Sequence, residues 1–286
     1  MLSRVVTMPE PGTAISLGVL GGLVALDPVK RLLGPTADYL GGELEQFTRR
    51  RVETIGRILK NATDKASDRL DEPGAVPPRV LRDIVNDGSF SDDPIAVEYF
   101  GGVLASSRTV TSRDDRAAAL TALLSRLSTY QIRSHFIFYS SLRKLHQGSE
   151  FRVVDHTKIN LATNILIAAY VRLMDFSKNE IDDLSGIIEH VMFGLSRENL
   201  IDRFEYGHKY LYENLSKEPL KGIMFHPSPL GSELFLRAHG VSFSSSNDIL
   251  NPALALRMRE AGDLTISRID VFGSDKAIKQ AGTRRK

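Results

Sequence analysis

Seven histidines, His135, His146, His156, His190, His208, His226 and His239, are the side chains best suited to holding a metal or moving a proton in this 286-residue chain. No two of them stand three or four residues apart, the spacing that would put two imidazoles on one helical face around zinc. His190 with Glu189, or Glu205 with His208, offers a mixed pair, and partly buried polar groups with local partners are the simpler expectation. Ser228 precedes Pro229-Leu230-Gly231, which is no nucleophile elbow, and no Walker or Rossmann glycine pattern occurs. Cysteine is absent, so disulfides, thiolate zinc sites and cysteine nucleophiles are excluded. The expectation is therefore no catalytic residue, no cofactor and no metal ligand: not an enzyme. Arg49, Arg50 and Arg51 form the one dense basic cluster, open to nucleic-acid phosphates or simply to solvent, with Glu53 placed to pair with Arg49 on a helix.

Composition sets the frame for these residues. With 42% hydrophobic and 25% charged residues the chain is ordinary globular material, long enough for one large or two modest domains. A net charge of +2 favours no particular partner. Lack of cysteine fits a cytoplasmic location.

The elements that must position any site are clearest between Asp92 and Arg143. Asp92 and Asp93 are both candidates to cap a helix whose first turn takes Pro94, because proline lacks the N–H that would be unpaired there. Ile95, Tyr99, Phe100, Val103 and Leu104 then recur at helical spacing. Gly101 and Gly102 interrupt that helix, and a glycine pair in mid-helix predicts another backbone passing close by. A second helix, from Asp114 or Asp115, carries Ala117, Leu120, Leu124 and Leu127. The third opens on Ser128-Thr129-Tyr130-Gln131, a capping box, and buries Ile132, Phe136 and Tyr139.

Outside this run the organisation is predicted more coarsely. Residues 1–35 form a glycine-rich apolar segment, 36–146 a long helix plus the three-helix core, 147–245 a helical subdomain, and 246–286 a terminal helix and basic tail. The uncharged run from Ala14 to Leu26 lacks a signal peptide's flanks and is too short to span a bilayer, so it reads as a buried or interfacial helix, with membrane contact as the alternative. A helical pattern from 36 to 70 should stop near Pro73, followed by a stiff link at Pro77-Pro78. Phe151 to Val154 looks strand-like, and residues 157–174 are apolar on nearly every side and belong at the centre of the core. Ser177-Lys178-Asn179-Glu180 predicts a second capping box and one amphipathic helix through Leu195. A further helix is predicted from Arg197, burying Ile201, Phe204 and His208. Strands are predicted at 222–226 and 241–244 around a helix at 230–239, with a last helix from Asn251-Pro252. The fold class is thus all-α, a multi-helix bundle with a small strand or winged-helix-like element near the C-terminus. That element keeps nucleic-acid binding as an alternative, weakened by the lack of a basic recognition helix.

Residues 92–107, Asp-Asp-Pro-Ile-Ala-Val-Glu-Tyr-Phe-Gly-Gly-Val-Leu-Ala-Ser-Ser, with the leucine helix 120–128 and Gln131, resemble the central segment of the abortive-infection alpha family. The Pro77-Pro78 link and residues 229–235, Pro-Leu-Gly-Ser-Glu-Leu-Phe, are similar to its pattern. The resemblance runs from about residue 36 to 239 and rests on helix-packing signatures. It implies an all-helical bacterial protein of phage defence that senses infection or disables the infected cell, acting through a protein partner or self-association. It carries no catalytic residues to this chain.

Overall fold

The structure is a computed structural model that describes residues 44–111, 113–207, 222–242, 245–256, 258–259 and 266–273, with side chains from Arg50 onward. Contacts divide the chain into two units, 1–53 and 54–286, and the second holds the buried core. The expected apolar helix at 14–26, His208 and the basic tail lie outside the described residues. Among the described residues no helix is long and apolar enough to cross a membrane.

The chain is largely helical. Helix α1 spans Leu44–Ala66, α2 Pro78–Asp87, α3 Pro94–Ser106, α4 Ala117–Leu124 and α5 Thr129–His146. After a 3-10 segment at His156–Leu161 come strand β1 (Thr163–Leu166), α6 (Ile167–Met174), α7 (Lys178–Asp182), α8 (Leu184–Arg197), β2 (Ile201–Tyr206) and β3 (Gly222–Pro227). Helix α9 (Pro229–Ala238) and strand β4 (Val271–Gly273) complete the set. The four strands form one antiparallel sheet in the order β2-β3-β1-β4, with Thr163 opposite Phe225 and Asn164 opposite Phe272.

Helix α5 lies at the centre. Ile132, Phe136, Ile137, Phe138 and Tyr139 are buried on several of its faces, so it serves two layers at once. Toward the sheet, Phe138 stacks on Phe225 of β3 at 4.9 Å. Toward the helices, Phe136 and Tyr139 stack near Phe235 of α9 at 6.3 and 5.9 Å. The predicted start of α5 holds in detail: the Ser128 hydroxyl accepts from the Gln131 N–H while Gln131 Oε1 accepts from the Ser128 N–H at 2.9 Å. The start expected at Asp114 or Asp115 does not: α4 begins at Ala117 after Arg116 with no side-chain cap, and Asp114 pairs with Arg116 instead. Of the two candidate caps on α3, Asp93 is the one used, its Oδ1 accepting from the N–H groups of Ile95 and Ala96 at 2.9 and 3.0 Å.

The glycine pair behaves as its position predicts. A Cβ on Gly102 would stand 1.8 Å from the Ala238 carbonyl oxygen of α9, and one on Gly101 3.0 Å from the Ile58 carbonyl of α1. The buried ion pair of Lys65 and Glu98 links α1 to α3, and Glu98 Oε1 also accepts from the Arg259 N–H at 2.8 Å.

Several expectations are corrected. The long first helix ends at Ala66, short of Pro73, and Pro78 starts the unforeseen helix α2. Residues 151–154 form no strand; Val153 is buried and its N–H bonds Asn247 Oδ1 at 2.8 Å. The 157–174 segment is central, as strand β1 followed by a short helix. The helix from Ser177 breaks at Asp183 into α7 and α8, leaving Ile181 46% exposed. Beyond Arg197 there is a strand, not a helix: Asn199 takes a left-handed φ of 55°, Leu200 N–H closes back on the Leu195 carbonyl, and the helix cannot continue. Residues 241–242 add no strand, and 243–244 lie outside the described residues. Residues 252–256 form no helix, because Asn251 Oδ1 turns the chain at Ala253 and Arg143 takes the carbonyls of Ile249 and Leu254.

Candidate functional site

Two places gather polar side chains around α3 and α5, one closed and one open. The closed one begins with His135, fully buried on α5. Its Nε2 faces the Gly231 carbonyl at 3.1 Å, an acceptor only, so this nitrogen carries the proton. Its Nδ1 therefore accepts from the Tyr99 hydroxyl at 2.7 Å. One turn along, Tyr139 donates to the Leu200 carbonyl at 2.6 Å and accepts from the Ser228 N–H at 3.0 Å. Ser228 caps α9, accepting from Gly231 N–H at 2.9 Å while donating to the Asn199 carbonyl at 2.6 Å.

Burial sets the ionisation here. Loss of solvent pushes His135 down to about 3, with the Gly231 carbonyl opposing and His239 assisting. Burial likewise lowers His239 to about 3 and raises both Tyr99 and Tyr139. A neutral imidazole with both nitrogens occupied, between the Tyr99 hydroxyl and the Gly231 carbonyl and away from solvent, holds three helices in register. This seam is a lock.

The open place lies at the starts of the same two helices. A groove of about 740 Å³ has Ala96, Phe100, Leu124, Leu127 and Ile132 in its lining. Its rim is acidic, with Asp87 at the end of α2 and Asp92 and Asp93 before α3. Asp93 is occupied as the cap and lies 3.8 Å from Arg133, which donates to the Leu173 carbonyl. Asp87 and Asp92 are exposed, and their carboxylates have no hydrogen bond or ion pair among the described residues. Phe90 joins the lining and is 58% exposed. An apolar floor under unpaired carboxylates suits a segment that brings both an apolar side chain and a positive charge.

The residues singled out in the sequence scatter. His190 bonds the Ser128 hydroxyl at 2.9 Å, next to the α5 cap. Glu205 sits on β2 opposite Met224, and burial lowers the His226 pKa on β3. Among the described residues no group of three histidine, aspartate or glutamate side chains could hold a metal ion. Arg50 is exposed and Arg51 half-buried on α1, while the side chain of Arg49 lies outside the described set. What sequence reasoning missed is the α2 side of the groove, Asp87 and Phe90. Pro78 followed by Val80 and Ile84 at helical spacing was the signal. Comparison with protein-family models, with curated proteins and with solved structures finds no match.

Proposed function

We propose that this protein acts without catalysis of its own, by seating a segment of a partner protein in the groove at the starts of α3 and α5, as part of bacterial defence against phage. The observation that carries the reading is the pairing of an apolar floor with two unpaired carboxylates, Asp87 and Asp92, at an open groove. A complementary segment presents an apolar anchor to Leu127 and Ile132 and a lysine or arginine to the rim. That is the arrangement by which helix-in-groove interfaces combine a buried anchor with charged selectivity. The defence role rests on the resemblance of residues 92–107 and 120–131 to the abortive-infection alpha pattern, and these residues supply much of the groove wall.

Phage plating on cells with the wild type and with the double variant Asp87→Lys, Asp92→Lys tests the reading. Plating should be restricted by the wild type and restored by the variant, at equal protein level and thermal stability. A photocrosslinker at Phe90 should capture one protein in challenged cells, and the capture should vanish in the double variant. Unrestricted plating by the wild type ends the defence reading; undiminished capture by the variant ends the groove reading. The winged-helix alternative through Arg49, Arg50 and Arg51 requires DNA binding that weakens steeply with salt. Membrane action through the 14–26 segment requires the protein to sediment with membranes after challenge.

A further inference from the structure

We propose that a second, polar pocket, between the end of α3, the start of α4 and the end of α9, binds a phosphate group, free or on a small molecule. This inference is independent of the groove. The pocket has a volume of about 170 Å³, and it is lined by Arg108 and Arg116 from the connection between α3 and α4 and by Arg237 from α9. An engineered cavity of roughly 150 Å³ holds benzene, so a phosphate with a few further atoms fits.

Charge is the first argument. Arg237 is only 5% exposed; its Nε donates to Glu233 at 2.9 Å and its Nη1 reaches the Ser106 carbonyl at 3.4 Å. Arg108 donates to the backbone carbonyls of Arg69, Leu70 and Glu72, which fix its fork without neutralising it. Arg69 is held by neutral acceptors too, the Ser242 hydroxyl of the pocket wall and the Gly240 carbonyl. Arg116 pairs with Asp114, which it holds down at about 2 by hydrogen bonding. Among the described residues the lining holds three guanidinium groups against the Asp114 carboxylate; Glu233, paired with Arg237, offsets one more charge and Arg69 beside Ser242 restores it, an excess of two positive charges. A phosphomonoester near neutral pH carries roughly −1.5 to −2.

Donor geometry is the second. The hydroxyls of Ser242 and Thr109 already accept, from Arg69 and from the Thr111 N–H at 3.1 Å, so each keeps its hydrogen to donate. Planar guanidinium forks match the tetrahedral oxyanion in pairs of hydrogen bonds. The Asp114 carboxylate already shows that Arg116 donates to an anionic oxygen pair at this wall. That exposed ion pair is weak enough for a dianion to displace.

The test is titration calorimetry of the full chain with inorganic phosphate, ribose 5-phosphate and ribose at constant ionic strength. Three variants accompany the wild type: Arg116→Ala, Asp114→Asn, and Arg113→Ala as an exposed arginine outside the pocket lining. The Arg116 side chain is 73% exposed, so its loss leaves the fold intact, which thermal melting without ligand checks. One saturable site is expected, weakened roughly tenfold in Arg116→Ala by loss of a charge-assisted pair, unchanged in Arg113→Ala and tightened in Asp114→Asn. Ribose should not bind. Tighter ribose 5-phosphate than phosphate places an organic phosphate in the pocket; the reverse places the free ion. Absence of saturable binding by either anion overturns the proposal. So does equal weakening by the two arginine variants, or no gain from Asp114→Asn.

Discussion

Helices α3 and α5 build two regions of opposite character, the seam along their lengths and the groove at their starts. In the seam, Tyr99, His135, Tyr139 and Ser228 are buried and satisfy one another or nearby carbonyls at 2.6–3.1 Å. At the groove, Asp87 and Asp92 face solvent with no partner in the described structure. A buried polar group must be paired because its desolvation is otherwise uncompensated, whereas an exposed carboxylate keeps its water and loses nothing by waiting. Stability therefore resides in the first region, and uncommitted charge in the second.

The sharpest break in that comparison is steric. Gly102→Ala drives a methyl to 1.8 Å from the Ala238 carbonyl, and we expect a loss of about 3 kcal/mol or more in urea unfolding. A loss under about 1 kcal/mol would show that α9 yields easily and the seam is no lock. Next comes Tyr99→Phe, which leaves His135 Nδ1 buried without its donor and should cost about 1–3 kcal/mol.

Acid probes the same region. His135 sits at about 3 when folded against an ordinary 6.5, so below pH 6.5 the unfolded chain binds the proton first. Its contribution is intact above pH 6.5 and drains away as pH falls toward 3. His135→Gln should flatten the stability-against-pH curve by up to about 1.4 kcal/mol per pH unit in that window. An unchanged slope would mean that the ring is protonated in the folded state.

The smallest effects belong to the groove and separate adjacent aspartates. Asp93→Ala should cost about 1 kcal/mol as a lost cap. Asp92→Ala should change stability by less than about 0.5 kcal/mol, the usual range for a surface substitution. Equal losses would erase the distinction between the cap and the free rim.

Much of the positioning machinery was legible because it is local. Ser128 with Gln131, and Ser177 with Glu180, are capping boxes whose partners stand three residues apart, and both form. The Gly101-Gly102 pair announced a close approach, though not which backbone would make it. Legibility failed where a local rule competed with another. Ile201 and Phe204 have helical spacing, yet Asn199 in the left-handed region ends α8 and β3 recruits the next residues as a strand. The candidate sites were least legible, since their components stand far apart in sequence: Tyr99 and His135 by 36 residues, His135 and Gly231 by 96, and Ser106 and Arg237 by 131.

By itself, then, the sequence determined a largely helical chain, the principal helix starts at Asp92-Asp93 and at Ser128, and the packing role of two glycines. Caps and apolar faces act over one or two turns, and so can be read from neighbours. Tertiary structure decided that Ala238 meets Gly102, that His135 links Tyr99 to the Gly231 carbonyl, and where carboxylates and arginines collect. Burial and charge density depend on which distant segments close over a group, and no local spacing contains that.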